Sequence, residues 1–123
     1  MKLGNPNSVM QKSLSPKTTP EALAPIAEYF KVLSEVSRLQ ILSCLRSGAM
    51  NVTELGDATG LGQANLSKHL KMLTQAGLLS RQPQGVSVYY EISDPVIFEL
   101  CELVCDRVGD RIQQQAAKFE RFI

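Results

Sequence analysis

Three cysteines and one short basic run are the residues of this chain whose types and spacing could do chemistry. Cys101 and Cys105 are four apart in a stretch of helical period, so they stand one above the other on a single helix face. Two thiolates so placed could grip a soft ion such as As(III), with a third sulfur from Cys44 or from a second copy of the chain. Alternatively, Cys44 and one of the later pair could be joined through a disulfide or polysulfide. A bridge between Cys101 and Cys105 themselves is disfavoured, because their Cβ vectors run parallel. The plainest alternative is that all three only pack, since cysteine is among the most buried residue types and behaves as a small hydrophobe.

The basic run is Ser67-Lys68-His69-Leu70-Lys71. His69 is the only histidine, so it has no second imidazole with which to hold a metal; a packing or phosphate-contact role is expected. It also sits in the run expected to meet a polyanion, so no catalytic triad can be drawn and an enzyme is not expected. Net charge is only +1, but its distribution is uneven. Residues 58–90 contain no Asp or Glu and carry Lys68, Lys71 and Arg81, whereas residues 94–123 hold six acids against four bases. The middle of the chain accepts a polyanion and its end repels one.

These residues must be positioned by a single domain, since 123 residues are too few for two, and 44% apolar content suffices for one core. An odd number of cysteines argues against a disulfide framework and for a reducing compartment. No apolar run approaches membrane-spanning length and residues 1–10 lack the apolar core of a secretory signal, so the expected location is the cytoplasm and no membrane partner is expected.

Residues 1–19, with two prolines and three lysines, read as a flexible basic tail ahead of a domain spanning 20–123. Pro20 suits the first turn of a helix in which Leu23, Ile26, Ala27, Phe30 and Leu33 recur at helical spacing. Ser34 is placed to cap a second helix with the stripe Leu39, Ile41, Leu42 and Leu45, ended by Gly48. Asn51 and Glu54 have capping-box spacing, predicting a short helix that presents Val52 and Leu55 inward and stops near Gly60. Gly62 opens a fourth helix, whose Leu66, Leu70 and Leu73 share one face, and Gly77 closes it. The period then changes to that of two strands, 78–81 and 86–92, joined by a turn at Pro83-Gln84-Gly85. Asp94-Pro95 starts a last long helix, roughly 94 to 119.

The order α-α-α-α-β-β-α, mostly α with one small hairpin, is that of a winged helix-turn-helix. With Leu66, Leu70 and Leu73 inward, the fourth helix turns Ala64, Lys68 and Lys71 outward, with Gln63, Asn65 and Ser67 in its first turns. Gln and Asn can pair with adenine, and Lys with guanine or phosphate, when such a helix enters a major groove. His69, Arg81, Gln84 and Gly85 are placed for further contacts, Arg81 and the turn chiefly to the backbone. A winged helix used only for protein contacts would instead show acidic or apolar residues on that face. In the last helix Ile97, Cys101, Val104, Cys105, Val108, Ile112 and Phe119 fall within about 100° of arc, a stripe longer than one small core needs. A partner helix from a second copy is the economical explanation.

The stretches Leu33-Ser34-Glu35-Val36-Ser37-Arg38-Leu39-Gln40-Ile41-Leu42, Val52-Thr53-Glu54-Leu55, Leu66 through Leu79 and Gly85 through Tyr90 resemble the ArsR/SmtB family of winged-helix repressors. Val36 stands where proline is usual in the family. The resemblance implies a homodimer built from the first and last helices, binding of double-stranded operator DNA without ligand, and release by an inducer. It also implies which known sensing sites are missing. The third-helix metal motif Glu-Leu-Cys-x-Cys-Asp is replaced by Glu54-Leu55-Gly56-Asp57, and the last helix has no His for the zinc site between last helices. Relatives with a thiol switch use one cysteine in the second and one in the last helix; against them Cys44 stands one residue late and Cys105 about one turn early. What remains is an inducer acting on the sulfurs of Cys44, Cys101 and Cys105, by redox or reactive-sulfur chemistry or as arsenite or another soft metal. The alternative is a regulator with inert cysteines and no small-molecule inducer.

Overall fold

The computed structural model describes residues 19–120, the side chains of 119 and 120 excepted. Residues 1–18 of the expected tail, and the side chain of Phe119 of the last-helix stripe, lie outside what is described. Thr19 belongs to the first helix: its hydroxyl accepts the Ala22 N–H at 3.2 Å and caps α1 (Pro20–Leu33). Helix α2 (Val36–Cys44) follows, ending in a 3-10 turn, Leu45–Ser47, closed by Gly48. Ser34 does not cap α2. Its hydroxyl donates back to the Lys31 carbonyl at 2.7 Å, so it finishes α1, and Glu35 takes the cap position of α2 without a side-chain bond.

A two-residue strand, β1 (Met50–Asn51), leads into α3 (Val52–Thr59). The Asn51–Glu54 capping box is formed in both directions: Asn51 Oδ1 accepts from the Glu54 N–H, and Glu54 Oε1 from the Asn51 N–H, each at 2.8 Å. Asn51→Ala removes the bond accepted by Oδ1 and leaves the Glu54 N–H without its cap, while the backbone bond to the Glu54 carboxylate can persist, so it lowers unfolding free energy by about 1 kcal/mol in a urea titration with an unchanged slope. Gly60, at φ 74°, ends α3 in the left-handed conformation.

Helix α4 (Gln63–Gln75) buries Leu66, His69, Leu70 and Leu73. Its end is a Schellman motif, with the Leu78 N–H donating to the Leu73 carbonyl and the Gly77 N–H to that of Thr74, both at 3.0 Å. Strands β2 (Leu79–Gln84) and β3 (Ser87–Ile92) form the hairpin, and β1 adds to β3, giving an antiparallel sheet in the order β1-β3-β2. The turn is shorter than expected. Gln84 pairs with Ser87, leaving only Gly85 and Val86 between the strands, and Pro83 lies within β2. An edge strand tolerates a residue without an N–H, which is why Pro83 does not end it.

Asp94 accepts the Val96 N–H at 3.2 Å and starts α5 (Val96–Glu120), a helix about 37 Å long. The core is built from Val32, Ile41, Leu42, Leu45, Leu55, Leu66, Leu70, Leu73, Leu78, Leu79 and Ile97. Ile97 is thus a core residue rather than part of an outward stripe. Beyond it α5 runs off the core, and Val104, Val108 and Ile112 are 53%, 50% and 60% exposed. On α1, Leu23, Ile26 and Phe30 are likewise exposed, while Val32 is buried and Tyr29 packs against the core. Among the described residues no helix is long and apolar enough to cross a membrane.

Candidate nucleic-acid interface

Helices α3 and α4, joined by Gly60-Leu61-Gly62, form the helix-turn-helix, and the β2–β3 hairpin stands directly after it. The leucines that fix α4 to the core dictate what it shows outside. Gln63, Ala64, Asn65, Ser67, Lys68 and Lys71 are all exposed. None of these carries negative charge, and the start of α4 adds the positive end of its helix dipole. From the hairpin, Arg81, Gln82, Pro83, Gln84, Gly85 and Val86 are exposed as well. Gly85, at φ 63°, occupies the first position of the two-residue turn, where a residue without a Cβ relieves strain. Gln82 donates to Glu91 Oε1 at 2.7 Å, so the carboxylate that ends the acid-free window is engaged within the hairpin. Gln82 and Val86 are additions to the expected wing surface; strand alternation about the true turn is the signal that would have found them.

His69 does not join the exposed face: of the packing and phosphate-contact roles expected of it, its burial supports packing and removes it from the expected DNA contacts. It is 7% exposed, on the core side of α4, with Nδ1 3.1 Å from Arg38 Nη1. A helix turn of about 100° per residue separates it from Lys68 and carries it under the helix. Burial, and next the Arg38 charge, hold its pKa below the ordinary histidine value.

The cysteines divide into two environments. Cys44 is half-buried against the core at the end of α2. Cys101 is half-buried and Cys105 exposed, and both line an apolar cleft of about 450 Å³ with Phe30, Leu39, Arg46 and Phe98, between α1, α2 and α5. Cys44 does not reach that cleft's wall. Among the described residues no group of three or more Cys, His, Asp or Glu comes together as a metal-binding set, so three sulfurs from one chain do not make a site. Burial pushes the Cys101 thiol up, its neighbour Cys105 adds to this, and Arg46 opposes it. Arg46 stacks 5.0 Å above the Phe98 ring and lies 3.8 Å from Glu102 at the solvent-facing rim.

The profile described as "Bacterial regulatory protein, arsR family" matches residues 35–81, the span from the start of α2 into β2. The HTH-type transcriptional regulator NmtR of Mycobacterium tuberculosis is 34% identical over 82 residues, covering 67% of this chain and 68% of NmtR. The arsenical resistance operon repressor of Bacillus subtilis is 33% identical over 92 residues, covering 72% of this chain and 88% of the repressor. Among solved structures, the homodimeric winged helix-turn-helix DNA-binding domain of Mb0332 from Mycobacterium bovis superposes with a TM-score of 0.66 at 29% identity, over 75% of this chain and 85% of that one. Sequence likeness that runs through helix-turn-helix and wing, on a backbone of the same shape, places this chain in the ArsR family of winged-helix transcriptional regulators.

Proposed function

We propose that this chain is a homodimeric transcriptional repressor that reads operator DNA with the outward face of α4 and braces itself on the phosphate backbone with the hairpin. The observation that carries this is the exposed, carboxylate-free surface of Gln63, Ala64, Asn65, Ser67, Lys68 and Lys71 beside Arg81, Gln84 and Gly85. Asn65 and Gln63 supply donor–acceptor pairs for base edges, and the lysines and Arg81 supply charge for phosphates. Selection from a random-sequence duplex pool tests it: the protein retains and enriches a defined sequence, and a pool that emerges unenriched, with no DNA retained, overturns the reading in favour of a protein-interaction module.

The dimer is the second part. Leu23, Ile26 and Phe30 on α1 and Val104, Val108 and Ile112 on α5 are exposed apolar residues on the two helices that leave the core. A second copy packed there satisfies both faces at once and presents two α4 helices about a two-fold axis. The solved winged-helix domain of Mb0332 is described as homodimeric.

Release by an inducer acting on thiols is the third part. Cys101 and Cys105 share the cleft wall next to that apolar seam, so a soft ion such as As(III) bridging them, or them and a partner's sulfur, alters the packing of α1 on α5. Any bridge that fits only one arrangement of the arms shifts the dimer between states of high and low operator affinity. Among relatives, one is named as an arsenical resistance operon repressor. Cys101→Ser and Cys105→Ser retain full affinity for the selected duplex but no longer release it when arsenite or polysulfide is added. Mutants that still release assign the thiols to packing.

A further inference from the structure

One buried cation ties three helices together. Arg38 projects from α2 and is 7% exposed. Its Nε donates to the Val32 carbonyl, and its Nη2 to the Lys31 carbonyl at 3.3 Å. Both carbonyls belong to the last turn of α1, the negative end of that helix's dipole, so the guanidinium is held there by charge as well as by hydrogen bonds. Its Nη1 meets α4 twice, 3.1 Å from His69 Nδ1 and 3.4 Å from Met72 Sδ. A guanidinium only donates and keeps its proton at any accessible pH. The contact with Nδ1 therefore needs a lone pair on that nitrogen, which assigns His69 as neutral with its proton on Nε2. The charged groups that act on the ring are Arg38 and Glu35 from α2 and its end, and Lys68 from α4. Burial and Arg38 favour the neutral ring, Lys68 adds slightly to this, and Glu35 opposes.

Resting on the DNA-binding reading above, we propose that Arg38 and His69 are positioning residues for recognition: their contact fixes α4 relative to α1, and DNA affinity depends on His69 Nδ1 keeping its lone pair. In the proposed dimer α1 is an arm of the two-fold seam and α4 is the helix that enters the groove. Two recognition helices must match half-sites about one helical turn of DNA apart. A change of tilt between α1 and α4 is repeated by symmetry in the second protomer, so it displaces both helices from that spacing. Arg38 grips the last turn of one helix and the middle of the other, and a proton on Nδ1 converts the grip into a contact between two cations.

The sign of the pH response separates this from a charge effect. Adding a proton to His69 makes the chain more positive, and charge alone would tighten its hold on a polyanion. Breaking the bond from Arg38 does the reverse and weakens the specific complex. His69 is the only histidine, so no other side chain has an ordinary titration in this window. Stability follows the same direction. A histidine whose folded-state pKa lies below the ordinary value near 6.5 contributes its full stabilisation above that value, and loses it as pH falls toward the folded-state pKa.

The test compares wild type, His69→Asn and Arg38→Met by fluorescence anisotropy, against the duplex selected by wild type and a scrambled duplex, at about pH 8 and about pH 5. The Asn Oδ1 stands close to where Nδ1 stands and accepts the same bond without titrating. Wild type loses on the order of tenfold in affinity for the selected duplex on acidification, and His69→Asn changes by no more than about twofold. Arg38→Met is already about tenfold weaker on the selected duplex at the higher pH, with scrambled-duplex binding unchanged. Thermal melts establish which variants fold; if Arg38→Met does not, the pH profiles of wild type and His69→Asn carry the test. A wild-type affinity that stays level or rises in acid, or an equal loss in His69→Asn, overturns the proposal and leaves the DNA-binding reading standing. Absence of selected-duplex binding by wild type at the higher pH overturns that reading itself.

Discussion

Lys68→Glu lowers affinity for duplex DNA on the order of a hundredfold to a thousandfold, the largest effect expected of a single exposed side chain here. The side chain is exposed in the middle of the α4 face, with Lys71 about one turn on and no carboxylate in residues 58–90 to offset either. Each pairing of a lysine with a phosphate in high dielectric is worth about 1 kcal/mol, and reversal both removes an attraction and adds a repulsion of similar size. In a two-fold complex the change occurs twice, which gives the estimate. The slope of log affinity against log salt also becomes shallower, by about one unit for each phosphate that is no longer neutralised. Because Lys68 is exposed and holds no hydrogen bond or ion pair among the described residues, its replacement leaves the melting temperature nearly unchanged, and weaker DNA binding then reports the interface rather than unfolding. Titrations at several salt concentrations check both numbers; unchanged retention on DNA removes α4 from the interface.

Val108→Asp converts the dimer to monomers. Val108 is 50% exposed on the outer reach of α5, beyond the last residue that this helix contributes to its own core, so a carboxylate there costs the isolated fold little. At a two-fold seam the same substitution places two carboxylates in apolar surroundings near one another, an arrangement that burial and repulsion both oppose. Light scattering then reports 13.5 kDa in place of about twice that mass. Operator affinity falls by about 10²-fold to 10⁴-fold, because the second half-site is no longer held by the first. A variant that remains dimeric shows that the seam lies elsewhere than on α5.

The features legible from the residues are those whose cause is local. The capping box needs only Asn51, Glu54 and the residues between, and Gly77 marks a helix end because a left-handed residue is required there. Leu66, Leu70 and Leu73 declare the buried side of α4, and so leave Lys68 and Lys71 on the other. Features made by distant partners are not legible in this way. Strand β1 is two residues long and exists through its pairing of Met50 with Tyr90 and Asn51 with Tyr89. Arg38 carries the charge of a surface residue, and its burial depends on carbonyls at the end of another helix. His69 sits between two exposed lysine-bearing positions in sequence, yet rotation along α4 places it beneath them against that arginine. Ser34 and Pro83 depart from expectation because each residue type has two possible uses: a hydroxyl can cap the helix behind it as well as the one ahead, and a proline breaks a central strand but not an edge.

DNA recognition is proposed to rest on the outward face of α4, and amide hydrogen exchange with and without the selected duplex tests that most directly. Protection is predicted across Gln63–Lys71 and Gln82–Val86, with Val104–Arg111 of α5 unchanged. Protection confined to α5, with the amides of α4 and the hairpin unaffected by the duplex, would contradict it.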